Sequence, residues 1–236
     1  MRLRSSSLVG WMVVALAGTA GVARADGPPV TAEVALGTRF PLDLEIEGAV
    51  VVPLGFTARL GFGWMPHGYR NLINDAAVGL DLYDDTDAAI VEAVLEDAFL
   101  ITPTIGWRPP LTGLEIYAGY VFTFLGGTVT REEAEVVSGE DLRGAGVAEV
   151  PLGGSSHGFQ IGLAYQVGLA PHVALRLSLA YFQIVHASAG IDLEVQGAAA
   201  NAVLDRVETA LDARVDELLS SYVKAPLLGV SGVWQF

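Results

Sequence analysis

The chain contains no cysteine among its 236 residues and has few basic residues. Without cysteine there is no disulfide scaffold and no cysteine-ligated metal. Thirteen lysines and arginines stand against 27 aspartates and glutamates, which gives a formal net charge of −14. Nucleic-acid binding needs a basic surface, so nucleic acid is excluded as a partner. The sequence also lacks a phosphate-binding loop, a dinucleotide fingerprint and a zinc-protease motif, so we expect no cofactor.

Long apolar runs are missing as well. Beyond residue 25 no stretch of 18 uninterrupted apolar residues occurs, so membrane-spanning helices cannot account for the apolar content of this region. Yet 52% of the residues are hydrophobic and the mean hydropathy is +0.46. The apolar residues must therefore be distributed in another pattern.

Residues 1–25 have the organisation of a secretory signal peptide. Arg2 and Arg4 precede an uncharged apolar stretch at 8–22, which is too short to span a membrane, and a small-x-small cleavage signal follows at 23–25. We expect cleavage there and a single mature domain at 26–236. Loss of the three signal arginines leaves a mature net charge of −17.

Strict alternation of apolar and polar residues explains the high hydropathy. It recurs in eight segments, each near the 9–11 residues that a tilted membrane-crossing strand requires: 30–38, 42–52, 56–65, 99–108, 114–124, 159–169, 173–182 and 227–236. In 42–52, for example, Leu42, Leu44 and Ile46 share one face, and the acids between them share the other. Pro103 interrupts one segment, and we expect a β-bulge there.

The connections between these segments alternate between short and long. Three long loops, at 66–97, 126–156 and 187–224, hold 21 of the 27 acids. Transmembrane barrels have short periplasmic turns and longer outer loops. The pattern predicts an all-β fold, an eight-stranded antiparallel transmembrane β-barrel. Alternation alone also fits a soluble lipocalin-like barrel, but the loop rhythm, the signal peptide and the aromatic C-terminus favour the membrane barrel.

The last residues, "GVSGVWQF", resemble the C-terminal signature of small bacterial outer-membrane β-barrels, which ends in phenylalanine. The resemblance implies recognition by the barrel-assembly machinery, contact with outer-membrane lipids, and periplasmic N- and C-termini in a Gram-negative cell envelope. Aromatic residues near strand ends predict interfacial girdles. We assign Trp64, Trp107, Trp234 and Phe236 to the girdle and the assembly signal.

The second face of the alternation predicts a polar lumen. An eight-stranded barrel is just wide enough for side chains to fill it, and unpaired charges there are costly. We therefore expect a cross-lumen ion-pair network, either as a structural plug or as a narrow polar conduit. Its predicted members are Glu33, Asp43, Glu45, Glu47, Arg59, Arg108, Glu115 and Arg176.

Two of the long loops carry helical patterns. In the last loop, apolar residues recur at helical spacing from Ala200 through Leu211 to Tyr222, and in the first, capping residues at Asp85–Asp87 precede a shorter apolar stripe. The polar faces lack the basic residues of interfacial membrane helices. We expect the two amphipathic helices to pack on each other as a lid, with an extracellular protein partner as the alternative.

Signals for catalysis are weak. Ser155 and Ser156 adjoin His157, and His67, His157 and His186 fall near the predicted outer rim, without close metal-ligand spacing. We therefore predict a non-enzymatic, porin-like barrel without a metal, which has a structural, surface-binding or minor permeability role. Two alternatives remain: a narrow ion or solute channel gated by the helical loops, and a lipid-modifying hydrolase that uses the rim serine and histidine.

Overall fold

The computed structural model describes residues 30–79, 85–110, 112–143, 148–191 and 198–236. The predicted signal peptide lies outside these residues. The described strands are β1 (Thr31–Phe40), β2 (Asp43–Val51), β3 (Phe56–Trp64), β4 (Phe99–Trp107), β5 (Leu114–Thr130), β6 (Glu149–Ala170), β7 (Val173–Ile191) and β8 (Lys224–Gln235). The described helices are α1 (His67–Gly79), α2 (Asp85–Val94), α3 (Arg131–Ser138) and α4 (Ala198–Tyr222).

The eight strands close into one antiparallel barrel. Each strand pairs with the next, and β8 returns to β1, with Val34 opposite Trp234 and Phe40 opposite Leu228. Closure leaves no sheet edge within the barrel wall. The predicted fold class, an eight-stranded antiparallel barrel with helices in long loops, is confirmed. The helices occupy all three long loops, because α3 lies in the loop for which the sequence predicts none.

The barrel has two different ends. The short connections after β2, β4 and β6 lie at one end, which we call the turn end. The three helix-bearing connections, with the tight turn at Pro41–Leu42, lie at the other, which we call the helical end. In the described part of the chain, no helix has both the length and the apolar character needed to cross a membrane.

The two faces of the strands differ as the alternation predicts. Large apolar side chains are exposed around the barrel exterior, among them Leu36, Ile46, Ile105, Ile116, Phe122, Ile161, Leu163, Leu179, Leu228 and Val230. Charged and small polar side chains fill the lumen. Leu42 is an exception to the predicted outward face, because it is 5% exposed and belongs to the apolar cluster at the helical end.

Strands β5, β6 and β7 are longer than the sequence predicts, at 17, 22 and 19 residues. They run into spans that the alternation assigns to loops. Beyond the last barrel pairs, Thr130 still pairs with Glu149 and Leu152 with Ile191. The three strands thus form a sheet that rises above the barrel at the helical end, and we call it the sheet extension.

The predicted bulge at Pro103 is wrong. The register of β4 and β5 is the same on both sides of the proline, with Ile101 opposite Phe122 and Thr104 opposite Gly119. The pairing with β5 is interrupted at Thr102 and Pro103 instead. Proline lacks a backbone N–H, so a local gap in the ladder accommodates it without an extra residue.

The main apolar core lies at the helical end, between the sheet extension, the adjoining part of the lumen and the helices. Its fully or nearly fully buried members include Ile90 and Val94 of α2, Val129, Val150 and Phe182 of the strands, and Val207, Leu211 and Leu218 of α4. We call the helices with this core the helical cap. The members of the predicted α4 stripe from Leu204 to Leu218 are therefore buried against the rest of the molecule.

Candidate functional site

The turn half of the lumen holds a continuous chain of ion pairs. Arg108 bridges Glu33, at 2.9 Å, and Glu115, at 3.1 Å. Glu115 also pairs with Arg59, and Thr57 Oγ1 donates to it at 2.6 Å. Gln235 Nε2 on the last strand donates to Glu33 at 2.8 Å. These contacts tie five strands or their connections together across the lumen.

The chain continues toward the helical end through Glu47. Arg176 approaches the Glu47 carboxylate to 2.7 Å, and Arg59 Nε lies 3.5 Å from the same oxygen. The Arg59 guanidinium also lies over the Tyr117 ring, at 5.9 Å from its centroid. A cation over an aromatic face is stabilised by the ring quadrupole, so Tyr117 supports the position of Arg59.

Arg39 forms a second cluster that sequence reasoning missed. It makes a two-point contact with Asp43, at 2.9 and 2.5 Å, and its Nε lies 3.1 Å from Glu45 Oε2. It also donates to Thr102 Oγ1 at 3.1 Å and Gln160 Oε1 at 3.2 Å. The predicted first strand ended at Thr38. One further step of the same alternation would have placed Arg39 in the lumen.

All eight charged residues assigned to the lumen lie there and take part in these pairs. With Arg39, the described lumen holds five carboxylates and four guanidinium groups, so it carries one more acid than base. Glu45 Oε1, Arg176 Nη1 and Arg59 Nε are buried without a hydrogen-bond partner. Their side chains line a cavity of about 30 Å³, which is room for a water.

Two glycines of β3 make space for the acids on β2. A Cβ added at Gly61 would lie 1.8 Å from Glu45 Oε1, and one at Gly63 would lie 1.9 Å from Asp43 Oδ2. The inward positions of β3 are therefore Thr57 and Arg59 toward the turn end and the two glycines toward the helical end. The "RLGFG" stretch carries this signal in the sequence, but glycine within a strand has several explanations and predicts none of them alone.

Apolar side chains close the helical half of the lumen. Val121, Leu125 and Val129 continue the inward face of β5 above the charged residues, and all three are buried. The helical cap packs over them. The inner face of β5 therefore changes from charged at the turn end to apolar at the helical end, whereas the Arg39–Asp43 cluster carries charge to the helical ends of β1 and β2.

Two ion pairs hold α4 to the other loops. Arg214 makes a two-point contact with Asp87 of α2, at 2.9 and 2.5 Å, and Arg206 makes one with Glu140, at 2.6 and 3.1 Å. The hydrogen bond from Arg206 lowers the pKa of the Glu140 carboxyl, and the bond to Asp87 raises the pKa of Arg214. The predicted packing of the two amphipathic helices as a lid agrees with these contacts.

Helix α4 also covers the free edge of β7. Strand β8 starts opposite Gln183, so the later residues of β7 have no strand partner on that side. Asp216 Oδ1 accepts a hydrogen bond from Ala187 N at 2.7 Å, and Asp212 Oδ1 accepts one from Ala189 N at 2.8 Å. Two carboxylates one helical turn apart thus satisfy alternate backbone N–H groups of an exposed edge.

The side chains of the candidate pair Ser156 and His157 lie on opposite faces of the barrel wall. Ser156 is buried on the inner face of β6, and the next residue, His157, lies on the outer face. Adjacent residues of a strand point to opposite faces, so these two side chains do not form a nucleophile–base pair. Ser155 shares the outer face with His157, and its Oγ lies 3.5 Å from Ser188 Oγ.

The predicted girdle residues lie at both ends of the exterior. Trp64 is at the helical end of β3, whereas Trp107 and Trp234 are at the turn end, and all three indoles are nearly half exposed. Trp107 Nε1 donates to Leu54 O at 3.0 Å. Phe236 is 72% exposed, and its backbone N donates to Ala32 O at 2.9 Å, so the ladder continues to the last residue.

No protein-family model matches the sequence, and no curated protein matches it. Similar solved structures include a major outer membrane protein from Thermus thermophilus, with 13% identity and a TM-score of 0.46 over 89% of this chain and 100% of that one. The N-terminal β-barrel domain of Pseudomonas aeruginosa OprF has 11% identity and a TM-score of 0.35, over 88% and 96%. Neisserial surface protein A has 12% identity and a TM-score of 0.33, over 88% and 94%.

These neighbours are of the class that the C-terminal motif resembles. TM-scores below 0.5 at such identities are too low to place this chain in a family. The barrel itself is established by the strand pairing and its closure between β8 and β1.

Proposed function

We propose that this chain is an integral outer-membrane barrel with a sealed lumen, and that it serves a structural role by anchoring an acidic helical cap at the cell surface. The observation that carries the proposal is the combination of an apolar exterior with a charged, self-paired interior. Soluble monomers rarely expose a continuous apolar surface of more than a few hundred square ångströms, because water makes it unfavourable. A lipid bilayer removes that cost.

Strand lengths support the placement in a membrane. Strands β1 to β4 have nine or ten residues each, and a bilayer core requires about 9–11 residues of a strand tilted by about 45°. The exposed aromatic residues at both ends of the exterior fit the two interfaces, where amphipathic rings are favoured. The band between them carries aliphatic and phenylalanine side chains.

The lumen supports a plug more than a conduit. The charged residues of the lumen pair with one another, and the cavity lined by Glu45, Arg59 and Arg176 is about 30 Å³. The inner face of β5 toward the helical end is apolar and is covered by the cap. An ion would have to break pairs between buried charges and then cross an apolar layer, and both steps are costly. The channel alternative therefore requires the cap and the network to move together.

The charge distribution supports an orientation. The three helix-bearing spans carry a net charge of −15, and the turn end carries short connections and both ends of the described barrel. We place the turn end in the periplasm, where the barrel-assembly machinery would read the terminal strand, and the helical cap outside. The apolar stripes of α2 and α4 are used inside the molecule, so a protein partner would have to recognise the acidic outer surface of the cap.

The candidate serine and histidine do not form a catalytic pair. Ser156 and His157 are on opposite faces, and within the described residues no group of three or more histidine, aspartate and glutamate side chains is arranged for a metal. The hydrolase alternative would need Ser155 or Ser188 on the outer face as its nucleophile. The Ser155 and Ser188 hydroxyls contact each other, and Ser188 Oγ also donates to Ser155 O at 3.5 Å.

The experiment is conductance of the refolded mature protein in a planar lipid bilayer. Insertion is checked separately by flotation with vesicles, and a porin of known conductance is recorded under the same conditions. We expect no discrete current steps from the wild-type chain. Stable single-channel steps would contradict the sealed lumen and favour the gated channel, and a correctly folded protein that fails to float with vesicles would contradict the membrane assignment itself.

A further inference from the structure

The strand register brings two of the chain's four histidines together. His157 of β6 and His186 of β7 are directly paired residues, although 28 residues separate them in the sequence. Their rings are parallel within 2°, with centroids 6.4 Å apart. Both lie on the outer face of the sheet, where Phe122 is the cross-strand neighbour of His157. The other two histidines, His67 and His172, lie in α1 and in the turn between β6 and β7.

Asp216 of α4 determines the tautomer of His186. Its Oδ1 lies 3.0 Å from His186 Nδ1 and also accepts the backbone N–H of Ala187 at 2.7 Å. The carboxylate is thus fixed in place by the edge of the sheet. Because a carboxylate only accepts, neutral His186 carries its proton on Nδ1 and keeps the lone pair of Nε2 free.

Aromatic rings confine the second histidine. Phe122 is the cross-strand partner of His157, with ring centroids 5.4 Å apart in an edge-on arrangement, and Tyr120 lies 6.1 Å away. On the other side lies His186, whose side chain is 62% exposed. Helix α4 occupies the free edge of β7 beside His186, so solutes reach the pair from the outer face of the sheet, where the His186 side chain is exposed.

We propose that His157 and His186 form a surface site for one late first-row divalent transition ion, such as Cu²⁺, Ni²⁺ or Zn²⁺. These ions favour imidazole nitrogen, and a carboxylate behind a ligating histidine fixes its tautomer and raises its basicity. With metal–nitrogen distances of about 2.1 Å, two imidazoles on one ion have ring centres roughly 5–6 Å apart. The observed rings need only side-chain rotation to reach this spacing, and water fills the remaining positions.

The test is Cu²⁺ titration of the full mature chain in detergent micelles, with excess Mg²⁺ to occupy the many carboxylates. Pulsed electron paramagnetic resonance counts the imidazoles on each bound ion. We expect one ion with two imidazoles in the wild type. His157→Ala and His186→Ala should each reduce the count to one and weaken the affinity at least about tenfold, because the second ligand is already held nearby.

Matched variants separate this site from general metal binding. His67→Ala and His172→Ala should leave the two-imidazole signal unchanged. Asp216→Asn should weaken the affinity by about tenfold, whereas Asp212→Asn, which alters the equivalent edge contact without touching a histidine, should not. One imidazole per ion in the wild type, or a two-imidazole signal that survives both His157→Ala and His186→Ala, would overturn the proposal. The urea midpoint of each variant verifies that it is folded.

Discussion

Glu45 has a different position in the lumen network from the other acids. Glu115 is shared by Arg59, Arg108 and Thr57. Glu45 contacts Arg39 through one oxygen only, and Arg39 already has the two-point contact with Asp43. The second oxygen of Glu45 faces Gly61 without a hydrogen-bond partner. Since the lumen has one acid in excess, Glu45 is the carboxylate that the network can best lose.

Replacing Glu45 and Glu115 by glutamine should therefore have unequal effects. Glu45→Gln removes the excess negative charge and preserves side-chain shape, so we expect the free energy of unfolding to stay the same or rise. Glu115→Gln weakens several charge-assisted bonds at once and should lower that free energy by about 1–3 kcal/mol. Urea-induced unfolding in lipid vesicles, followed by tryptophan fluorescence, measures both. Equal losses in the two variants would show that the acids are equivalent.

For individual residues, the sequence predicts which side chains face the lumen, because side-chain direction in a strand has a period of two. That rule alone places all eight assigned charges in the lumen. It fails where a boundary is misjudged, as at Arg39, one residue past the predicted strand end. It also cannot reveal pairs that depend on register between distant strands, and the meeting of His157 with His186 is such a case.

The sheet extension is the element that the sequence pattern does not predict. Its residues at 126–127 and 153–154 are glycines, which weaken a strand signal, and the apolar side chains beyond them face helices instead of lipid. The edge of β7 finds its hydrogen-bond partners on α4, in Asp212 and Asp216. Nothing in the local sequence of β7 indicates that a helix will supply them.

Gly127 allows a close approach between α2 and the sheet extension. A Cβ at this position would lie 1.7 Å from the carbonyl oxygen of Ala93, which is a backbone atom and cannot rotate away. Gly127→Ala should therefore displace α2 and destabilise the cap by about 1–3 kcal/mol, as overpacking does. Faster hydrogen exchange confined to α2 and its neighbours would report this.

Gly126 provides the control for that variant. It is the adjacent residue of the same strand, and an added Cβ would meet its nearest atom, Asp97 Cβ, at 3.6 Å, an ordinary van der Waals distance. We expect Gly126→Ala to leave the exchange of α2 unchanged. Equal effects in both variants would mean that any side chain in this part of β5 disturbs the cap, and that the contact with Ala93 is unimportant.

The whole molecule is divided along the barrel axis. Ion pairs brace the lumen of the barrel, and an apolar core of the kind found in soluble domains lies between the sheet extension and the helices at the helical end. Most of the acids lie in the three helix-bearing spans. Stability in the two halves therefore depends on different interactions. High salt should affect the exposed pairs of the cap more than the buried pairs of the lumen, because solvent-exposed charges are screened.

The proposed orientation makes opposite predictions for two exposed apolar residues, and the absence of cysteine allows each to be labelled alone. Val136 on α3 is 67% exposed at the helical end, and Leu54 is 76% exposed at the turn end. In intact cells, a membrane-impermeant maleimide should label Val136→Cys and leave Leu54→Cys unlabelled, whereas both should react after the outer membrane is permeabilised. The reverse pattern would place the acidic cap in the periplasm. Labelling of both variants in intact cells, with the outer membrane shown to be sealed, would mean that the barrel does not separate two compartments.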